Sequence, residues 1–318
     1  MASDLLRILA SGPPAGPDLV CIGNLLMDDI VFPDGRTLMA EPGGAALYAS
    51  LAARLWGASV GVVSVRGDDY PAATLDALAA RGVDLAGVRA LGRPGVRTWL
   101  LYEDLARRVI HRLGSPSHEE VSPGPEDVPA AFRAARAFHL SPMPLAIQRR
   151  LVEALAARRG AALSLDPHEP VREDNLAAWK EVLAQVDAFF PSRDELRLDG
   201  VDDDPRAALR RLGGGRLRFV AFKRGAAGGL LWDARADGFV EWPPVPRLTG
   251  DPTGAGDAFA GGFLSALLAG LGIEQALDRG IVATSFALED FGARGLLAAT
   301  RDEAQRRMTE WFDTERPA

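Results

Sequence analysis

The stretch Asp251-Pro252-Thr253-Gly254-Ala255-Gly256-Asp257-Ala258-Phe259 is the most informative part of this chain. Two glycines flank one alanine, and an aspartate follows where small and apolar residues begin, which predicts a helix over 255–271. The first N–H groups of a helix lack intrahelical partners and carry a partial positive charge. Because the glycines leave these groups open, the stretch predicts an anion site. Asp257 follows in the first turn, and a base beside an anion site is what phosphoryl transfer to a hydroxyl requires.

The composition is that of an ordinary soluble globular protein, with 318 residues, 47% hydrophobic and 25% charged. A net charge of -7 argues against nucleic acid as a partner, since phosphate backbones are bound by basic faces. Cys21 is the single cysteine, which excludes an internal disulfide. Residues 1–17 lack a signal-peptide pattern, and no run approaches the ~18 apolar residues of a membrane span. We therefore expect a cytoplasmic protein that does not contact membranes.

Strand and helix patterns alternate along most of the chain, which favours an α/β fold with a mostly parallel sheet. The predicted strands are 18–23, 59–65, 137–140, 161–165, 188–190 and 217–222, and the predicted helices are 45–56, 70–81, 145–158, 173–186, a helix after Ser192, 255–271 and 273–290. The rhythm is interrupted by an apparent hairpin over 96–102 and 107–112. Together with strand-like pieces in 29–41, broken at Pro33-Asp34-Gly35, this hairpin predicts a small separate β layer.

Other motifs in the chain point to no competing chemistry. There is no Gly-x-x-x-x-Gly-Lys-Ser/Thr and no Gly-x-Ser-x-Gly, and the glycines before Phe259 do not fit a dinucleotide fingerprint. Asp290-Phe291-Gly292 mimics a protein-kinase signature, but its companion motifs are missing. The four histidines lack the spacing of metal ligands, so we expect them to be structural or solvated.

Residues 251–259 match in full the pattern Asp/Asn-x-Thr-Gly-Ala-Gly-Asp-x-Phe, and on it the chain resembles the ribokinase-like (PfkB) family of carbohydrate and nucleoside kinases. The resemblance covers almost the whole chain, because Pro42-Gly43-Gly44 and its helix look like the family's first signature. It implies one domain over 1–318, a three-layer α/β/α ribokinase-like sandwich with a β lid formed by about 29–42 and 95–113. Some family members pair two subunits through the lid, so a homodimer is a candidate assembly.

The resemblance also implies an acceptor side of the site. Asp28, at the end of Gly-x-x-x-x-Asp, would hold the hydroxyls of the acceptor, with help from Asn24. Gly43 and Gly44 would let backbone amides approach the substrate. Tyr48 stands where ribokinases proper have an asparagine, which puts ribose in doubt and favours a less polar or larger group, such as a nucleoside base.

On the phosphoryl side, Asp257 would be the general base, and the N–H groups of Gly254, Ala255 and Gly256 would form the anion hole. ATP is the implied phosphoryl donor, with Mg²⁺ bridging its phosphates. The remaining residues that the resemblance assigns are Lys223, Gly225, Gly228 and Thr253 on the nucleotide side, Glu195 for Mg²⁺ through water, and Asp251 near a monovalent cation site for which K⁺ is the candidate ion.

The sequence leaves the acceptor open. The main interpretation is a kinase that transfers the γ-phosphoryl group of ATP to a sugar or related polyol, and the alternative within the same fold is a nucleoside or inositol kinase. Arg97, Arg108, His111 and Arg112 hint at an acidic or phosphorylated sugar, although such charges usually form the solvated face of a strand. An alternative of another class is an inactive homologue that senses a sugar or a nucleotide.

Overall fold

The computed structural model describes residues 15–103, 106–157, 160–246 and 250–313. Within these ranges the strands β1 to β15 are, in order, Leu19–Ile22, Leu26–Val31, Thr37–Gly43, Val60–Arg66, Val83–Ala90, Arg97–Glu103, Ala106–His111, Ala137–Leu140, Ala162–Leu165, Val171–Arg172, Ala188–Phe189, Leu196–Arg197, Phe219–Lys223, Gly229–Asp233 and Gly238–Trp242. The helices α1 to α10 are Ala45–Leu55, Ala72–Ala80, His118–Val121, Leu145–Ala156, Leu176–Leu183, Pro205–Arg211, Ala255–Leu268, Ile273–Ala287, Arg294–Ala298 and Arg301–Met308.

Nine of these strands form one sheet in the order β15-β14-β13-β11-β9-β8-β1-β4-β5. Its pairs are parallel except β13–β14 and β14–β15, which are antiparallel. Successive side chains of β1 alternate between two cores: Val20 and Ile22 pack with α4 and α5, whereas Leu19 and Cys21 pack with α7. Buried strands with helices on both faces give three layers. The predicted α/β/α sandwich with a mostly parallel sheet is confirmed.

Helix α7 is buried on nearly all sides, from Ala258 to Leu268. Such a helix needs apolar neighbours all round, and it finds them in α1, α8 and the sheet. Small residues such as Gly261 and Gly262 let the neighbouring backbones approach closely. The first turn of α7 is thereby held at the carboxyl edge of the parallel strands, where α/β folds bind ligands.

A second sheet, in the order β3-β2-β6-β7, is built from the segments predicted to form the separate β layer. Strands β2 and β6 pair in parallel, and β3 and β7 close the two edges in antiparallel fashion. The break at Pro33-Asp34-Gly35 is a turn in which Gly35 has a φ of 87°. That this small sheet acts as a lid stays a prediction.

The helix predicted after Ser192 is present, but it begins thirteen residues later, at Pro205. The N–H of Ser192 donates to the carboxylate of Glu195, and the N–H groups of Glu195 and Leu196 both donate to the carbonyl of Ser192. This turn leads into the short strand β12 instead of a helix. The helix α6 begins only at Pro205, where the side chain of Asp204 accepts a hydrogen bond from Ala207 N–H and proline suits the first helical position.

Because His139 is buried in its neutral form, we expect the free energy of unfolding to fall in acid. His139 is fully buried in β8, with Nδ1 3.0 Å from Ser164 Oγ, and burial, aided by the charge of Lys223, lowers its pKa to about 3. Below a pH of about 6.5 the unfolded chain binds a proton that the folded chain does not bind, so the free energy of unfolding falls by about 1.4 kcal/mol per pH unit.

Urea unfolding of the wild type and of His139→Asn at pH 7.5 and pH 5.0 tests this. The pH-induced loss should be about 2 kcal/mol smaller in the variant. Equal losses in both proteins would contradict the assignment.

Candidate active site

The anion site predicted from the sequence begins at Gly254, which caps the N-terminus of α7 with a φ of 73°. A Cβ atom at this position would lie 2.2 Å from the ring of Tyr48, so conformation and space both require glycine. The predicted helix start at Ala255 is confirmed. The N–H of Ala255 donates to the carbonyl of Pro252 at 3.2 Å. The amide of Ala255 is therefore already bonded, and the amides of Gly254 and Gly256 stay the predicted donors to an anion.

Asp251 holds the loop that leads into α7. Its side chain is 1% exposed, and its Oδ1 accepts hydrogen bonds from the N–H of Thr253 at 2.9 Å and from Thr253 Oγ1 at 2.6 Å. Its Oδ2 accepts from the N–H of Gly292 at 3.0 Å. These bonds tie the anion loop to the segment before α9. A K⁺ site near Asp251 stays a prediction.

Lys223 lies directly beneath the first turn of α7. A Cβ atom on Gly256 would be 3.0 Å from Lys223 Nζ, and Nζ donates to Asp166 Oδ2 at 2.6 Å. Burial disfavours the ammonium, but the carboxylates of Asp166, Glu195 and Asp257 outweigh it and raise the pKa of Lys223. The structure thus puts a permanent positive charge next to Asp257 and the anion loop. The other predicted nucleotide-side residues, Gly225 and Gly228, follow in the turn between β13 and β14.

Asp166 is a member of this site that the sequence analysis missed. It follows β9 directly, at the carboxyl edge of a parallel strand, and this position was the signal that could have found it. Its Oδ1 is buried and has no hydrogen-bond partner in the described part of the chain. Glu195 is near enough to act on Asp166 and Lys223 electrostatically, while its own Oε2 accepts from the N–H of Ser192 at 2.8 Å.

The residues present fit Mg²⁺. Across the described ranges, no group of three or more His, Cys, Asp or Glu side chains could hold a metal by itself. Mg²⁺ bound with phosphates normally uses one or two carboxylates and keeps several waters. Asp166, with an unpaired buried oxygen, and Glu195 are two such carboxylates on the nucleotide side of the site.

The acceptor side is built from the glycine pair and the residues after β1. A Cβ atom on Gly43 would lie 2.0 Å from Asp28 Oδ2, and one on Gly44, where φ is 107°, would lie 2.1 Å from the carbonyl oxygen of Asn24. The side chain of Asn24 is 3% exposed, and neither of its polar atoms has a hydrogen-bond partner among the residues that the structure describes. Buried side-chain amides are normally hydrogen-bonded, so the amide of Asn24 has a donor and an acceptor free to bind a ligand.

Tyr70 is a second residue that the sequence analysis did not find. Its hydroxyl is buried and lacks a partner within the described residues, and burial together with the charge of Asp28 raises its pKa. It therefore adds a neutral hydroxyl close to Asp28. Nothing in its local sequence pattern indicates this, because the contact joins the segment before α2 to the second strand.

Tyr48 joins the two sides. It is 1% exposed, its ring lies against Gly254, and its hydroxyl has no partner inside the described ranges. Burial first, and then the charges of Asp28, Asp251 and Asp257, raise its pKa. Asp28, which is predicted to hold the acceptor, and Asp257, which is predicted to take its proton, therefore both act on the buried hydroxyl of Tyr48. That Tyr48 contacts the substrate stays a prediction.

The small sheet touches the anion loop and the segment before α9. Tyr102 OH and Thr253 Oγ1 are 2.7 Å apart, and the ring of Phe32 stacks on Tyr102 with centroids 4.9 Å apart. Phe32 also meets Phe291 edge-on at 5.5 Å, so the Asp-Phe-Gly stretch at 290–292 is a packing element here. Arg294 forms an ion pair with Glu41 of β3. These contacts hold the small sheet against the anion loop and the segment before α9.

Together, the fold and the site define an α/β phosphotransferase that acts on a hydroxyl group. The model of the pfkB family carbohydrate kinases matches residues 17–299, and the chain belongs to this family. It is 33% identical over 280 residues to the cytidine kinase of Thermococcus kodakarensis, covering 86% of this chain and 97% of that protein. It is 24% identical over 308 residues to a nucleoside kinase of Methanothermobacter thermautotrophicus, covering 92% and 96%.

Among solved structures, a putative ribokinase II from E. coli in complex with ATP and Mg²⁺ matches with a TM-score of 0.68 and 23% identity, covering 92% of this chain and 99% of that one. The predicted ribokinase-like fold is thereby confirmed, and the prediction that the chain is a kinase is confirmed by the family match. No helix in the described ranges is long and apolar enough to cross a membrane.

Proposed function

We propose that this kinase transfers the γ-phosphoryl group of ATP to a hydroxyl group of a nucleoside. The observation that carries the reaction is the convergence of Asp28 and Asp257 on the buried hydroxyl of Tyr48, beside the N-terminus of α7. It brings an acceptor-binding carboxylate, a base and an anion site to one place, which is the set that phosphoryl transfer needs. The choice of a nucleoside rests on the similarity to the cytidine kinase, which extends over nearly its whole length.

The chain's own residues perform four tasks in this mechanism. Asp28 and Asn24 bind hydroxyl groups of the acceptor and orient it. Asp257 accepts the proton of the attacking hydroxyl. The amides at Gly254 and Gly256 donate hydrogen bonds to the phosphoryl oxygens, and the small sheet excludes water, so that the phosphoryl group does not pass to water instead.

The metal has a defined place in this scheme. When bound, Mg²⁺ neutralises charge on the phosphate oxygens. Asp166 and Glu195 would hold it through its waters, and the ammonium of Lys223 balances their charge. Thr253, whose hydroxyl bonds to Asp251 and Tyr102, would position the anion loop toward the nucleotide.

A coupled ADP-release screen at equal acceptor concentrations tests the proposal. The panel contains cytidine, uridine, adenosine, D-ribose, D-fructose, myo-inositol and a sugar acid. We expect the highest kcat/KM with a nucleoside. A higher value with a sugar or with inositol would support the sugar or polyol interpretation instead. Tight binding of a ligand without ADP release from any acceptor would support the inactive sensing homologue. Repeating the assay with K⁺ replaced by a large organic cation tests the K⁺ site.

We also propose that two copies of the chain pair through the small sheet. Its strands and following loop carry the exposed large apolar side chains of the described residues, which are Met39, Val109, Ile110 and Leu113. Val109 and Ile110 follow each other in β7 and face opposite sides of the sheet, so we place the contact at Ile110 and at Leu113 of the following loop. We expect a dimer by light scattering, and a monomer for Ile110→Asp/Leu113→Asp. The control Ala236→Asp adds charge to the exposed β14–β15 turn and should remain dimeric. A monomeric wild type would contradict the proposal.

A further inference from the structure

A row of polar side chains crosses the small sheet on one face. In register, Glu41 of β3 lies opposite Asp28 of β2, Asp28 lies opposite Thr98 of β6, and Thr98 lies opposite His111 of β7. Residues directly opposite each other share a face of the sheet. Neighbouring strands are ~4.8 Å apart, so His111 is about 10 Å from Asp28 along this row. The row therefore continues from the acceptor carboxylate to the far edge of the small sheet.

Three imidazoles meet at that edge. His111 Nδ1 is 3.3 Å from Thr98 Oγ1, the ring centroids of His111 and His118 are 5.3 Å apart, and those of His118 and His168 are 4.5 Å apart. His168 comes two residues after Asp166, the partner of Lys223. The cluster of His111, His118 and His168, called here the imidazole cluster, thus spans from the small sheet to the nucleotide side of the site. The sequence spacing gave no sign of it.

The imidazole cluster suits an uncharged ligand. Burial and then the neighbouring imidazoles lower the pKa of His118 to about 4, so the central ring of the cluster is neutral at pH 7. Two of the nearby cations are already paired within the small sheet, since Arg97 bonds to the buried Asp29 and Arg108 contacts Glu103. This pairing weighs against a phosphate or carboxylate on the acceptor.

Neutral imidazole offers a planar face together with one hydrogen-bond donor and one acceptor. His118 Nδ1 is buried and has no partner within the described ranges, whereas His111 and His168 are exposed. A planar heterocycle with both amine and carbonyl groups matches this surface in shape and in hydrogen bonding. A pentose held at Asp28 does not reach the cluster, whereas a pentose that carries a base does.

We propose that the imidazole cluster is the contact surface for the nucleobase of the acceptor and that His168 is a specificity-determining residue. This inference rests on the nucleoside kinase function proposed above. With ribose hydroxyls at Asp28 and Asn24, the base follows the polar row and packs its face against His168. The cluster then distinguishes nucleosides from free sugars by contacts that a sugar lacks.

The test compares His168→Ala and His168→Phe with the wild type, and Arg172→Ala is the matched control because its side chain is exposed on the segment that follows. Cytidine and adenosine are the nucleoside probes and D-ribose is the sugar probe. Nucleoside Kd is measured by calorimetry without ATP, alongside KM and kcat. We expect His168→Ala to raise nucleoside Kd and KM about tenfold, with kcat within about twofold, because stacking on an aromatic ring stabilises a bound base. His168→Phe should remain within about threefold of the wild type, since it keeps the planar face.

Two results would overturn the inference alone: an unchanged nucleoside Kd in His168→Ala, or an equal loss of kcat/KM for nucleosides and for D-ribose. Equal Kd changes in His168→Ala and His168→Phe would also overturn it, because the planar face would then not matter. A wild type that binds and phosphorylates sugars but neither nucleoside would overturn the proposed function, and the inference with it.

Discussion

The variant Asp257→Asn is expected to fold and to bind nucleotide but to turn over at least about a thousandfold more slowly than the wild type. Asp257 lies in the first turn of α7 and is near enough to act on Tyr48 and Lys223. Asparagine keeps the shape of the side chain but cannot accept the proton of the acceptor hydroxyl. Steady-state kinetics with the best acceptor from the screen, together with nucleotide binding by calorimetry, measures the effect.

The stability of this variant separates chemistry from folding. A carboxylate near a helix N-terminus stabilises a protein by about 0.3–1 kcal/mol, so the free energy of unfolding should change little. Asp302→Asn is the matched control because Asp302 also lies in the first turn of a helix, α10, and is exposed. It should lose comparable stability and no activity. Turnover of Asp257→Asn within tenfold of the wild type would sink the assignment of Asp257 as the base.

The second large effect is expected from Lys223→Met. Removing the ammonium leaves Asp166, whose side chain is 1% exposed, as an uncompensated buried charge. Breaking a buried pair in this way costs about 3–5 kcal/mol of unfolding free energy. The loss of positive charge beside the anion loop should also lower kcat about a hundredfold. Urea unfolding and steady-state kinetics give the two values.

A double variant tells whether the pair itself is responsible. Lys223→Met/Asp166→Leu removes both charges and should recover most of the stability, because an apolar pair can replace a buried ion pair, while activity stays low. Arg210→Met, which breaks the exposed contact with Asp237, is the control and should change stability far less. A double variant as unstable as Lys223→Met would show that the buried charge of Asp166 is not the cause.

Local patterns predicted the framework well. The apolar runs at 18–23 and 59–65 became β1 and β4, and the glycine pair with its following small residues became the start of α1. The signals for these elements are local, although β1 is then paired with β4 and with β8, which are distant in sequence. The helix predicted after Ser192 forms as α6, but its start at Pro205 was not predicted, because Glu195 bonds back to the N–H of Ser192, a local competition that the pattern of apolar residues does not reveal.

The features of the site likewise divide into those that local sequence predicts and those that only the tertiary structure decides. The sequence by itself determined the helix start at 251–259, because a glycine followed by a run of small and apolar residues is a signal carried by near neighbours. Only the tertiary structure decided that Asp166 pairs with Lys223, that Tyr70 lies near Asp28, and that three histidines meet at the edge of the small sheet. Each of these contacts joins segments distant in sequence, whose separation is set by how strands and helices pack and not by any pattern along the chain.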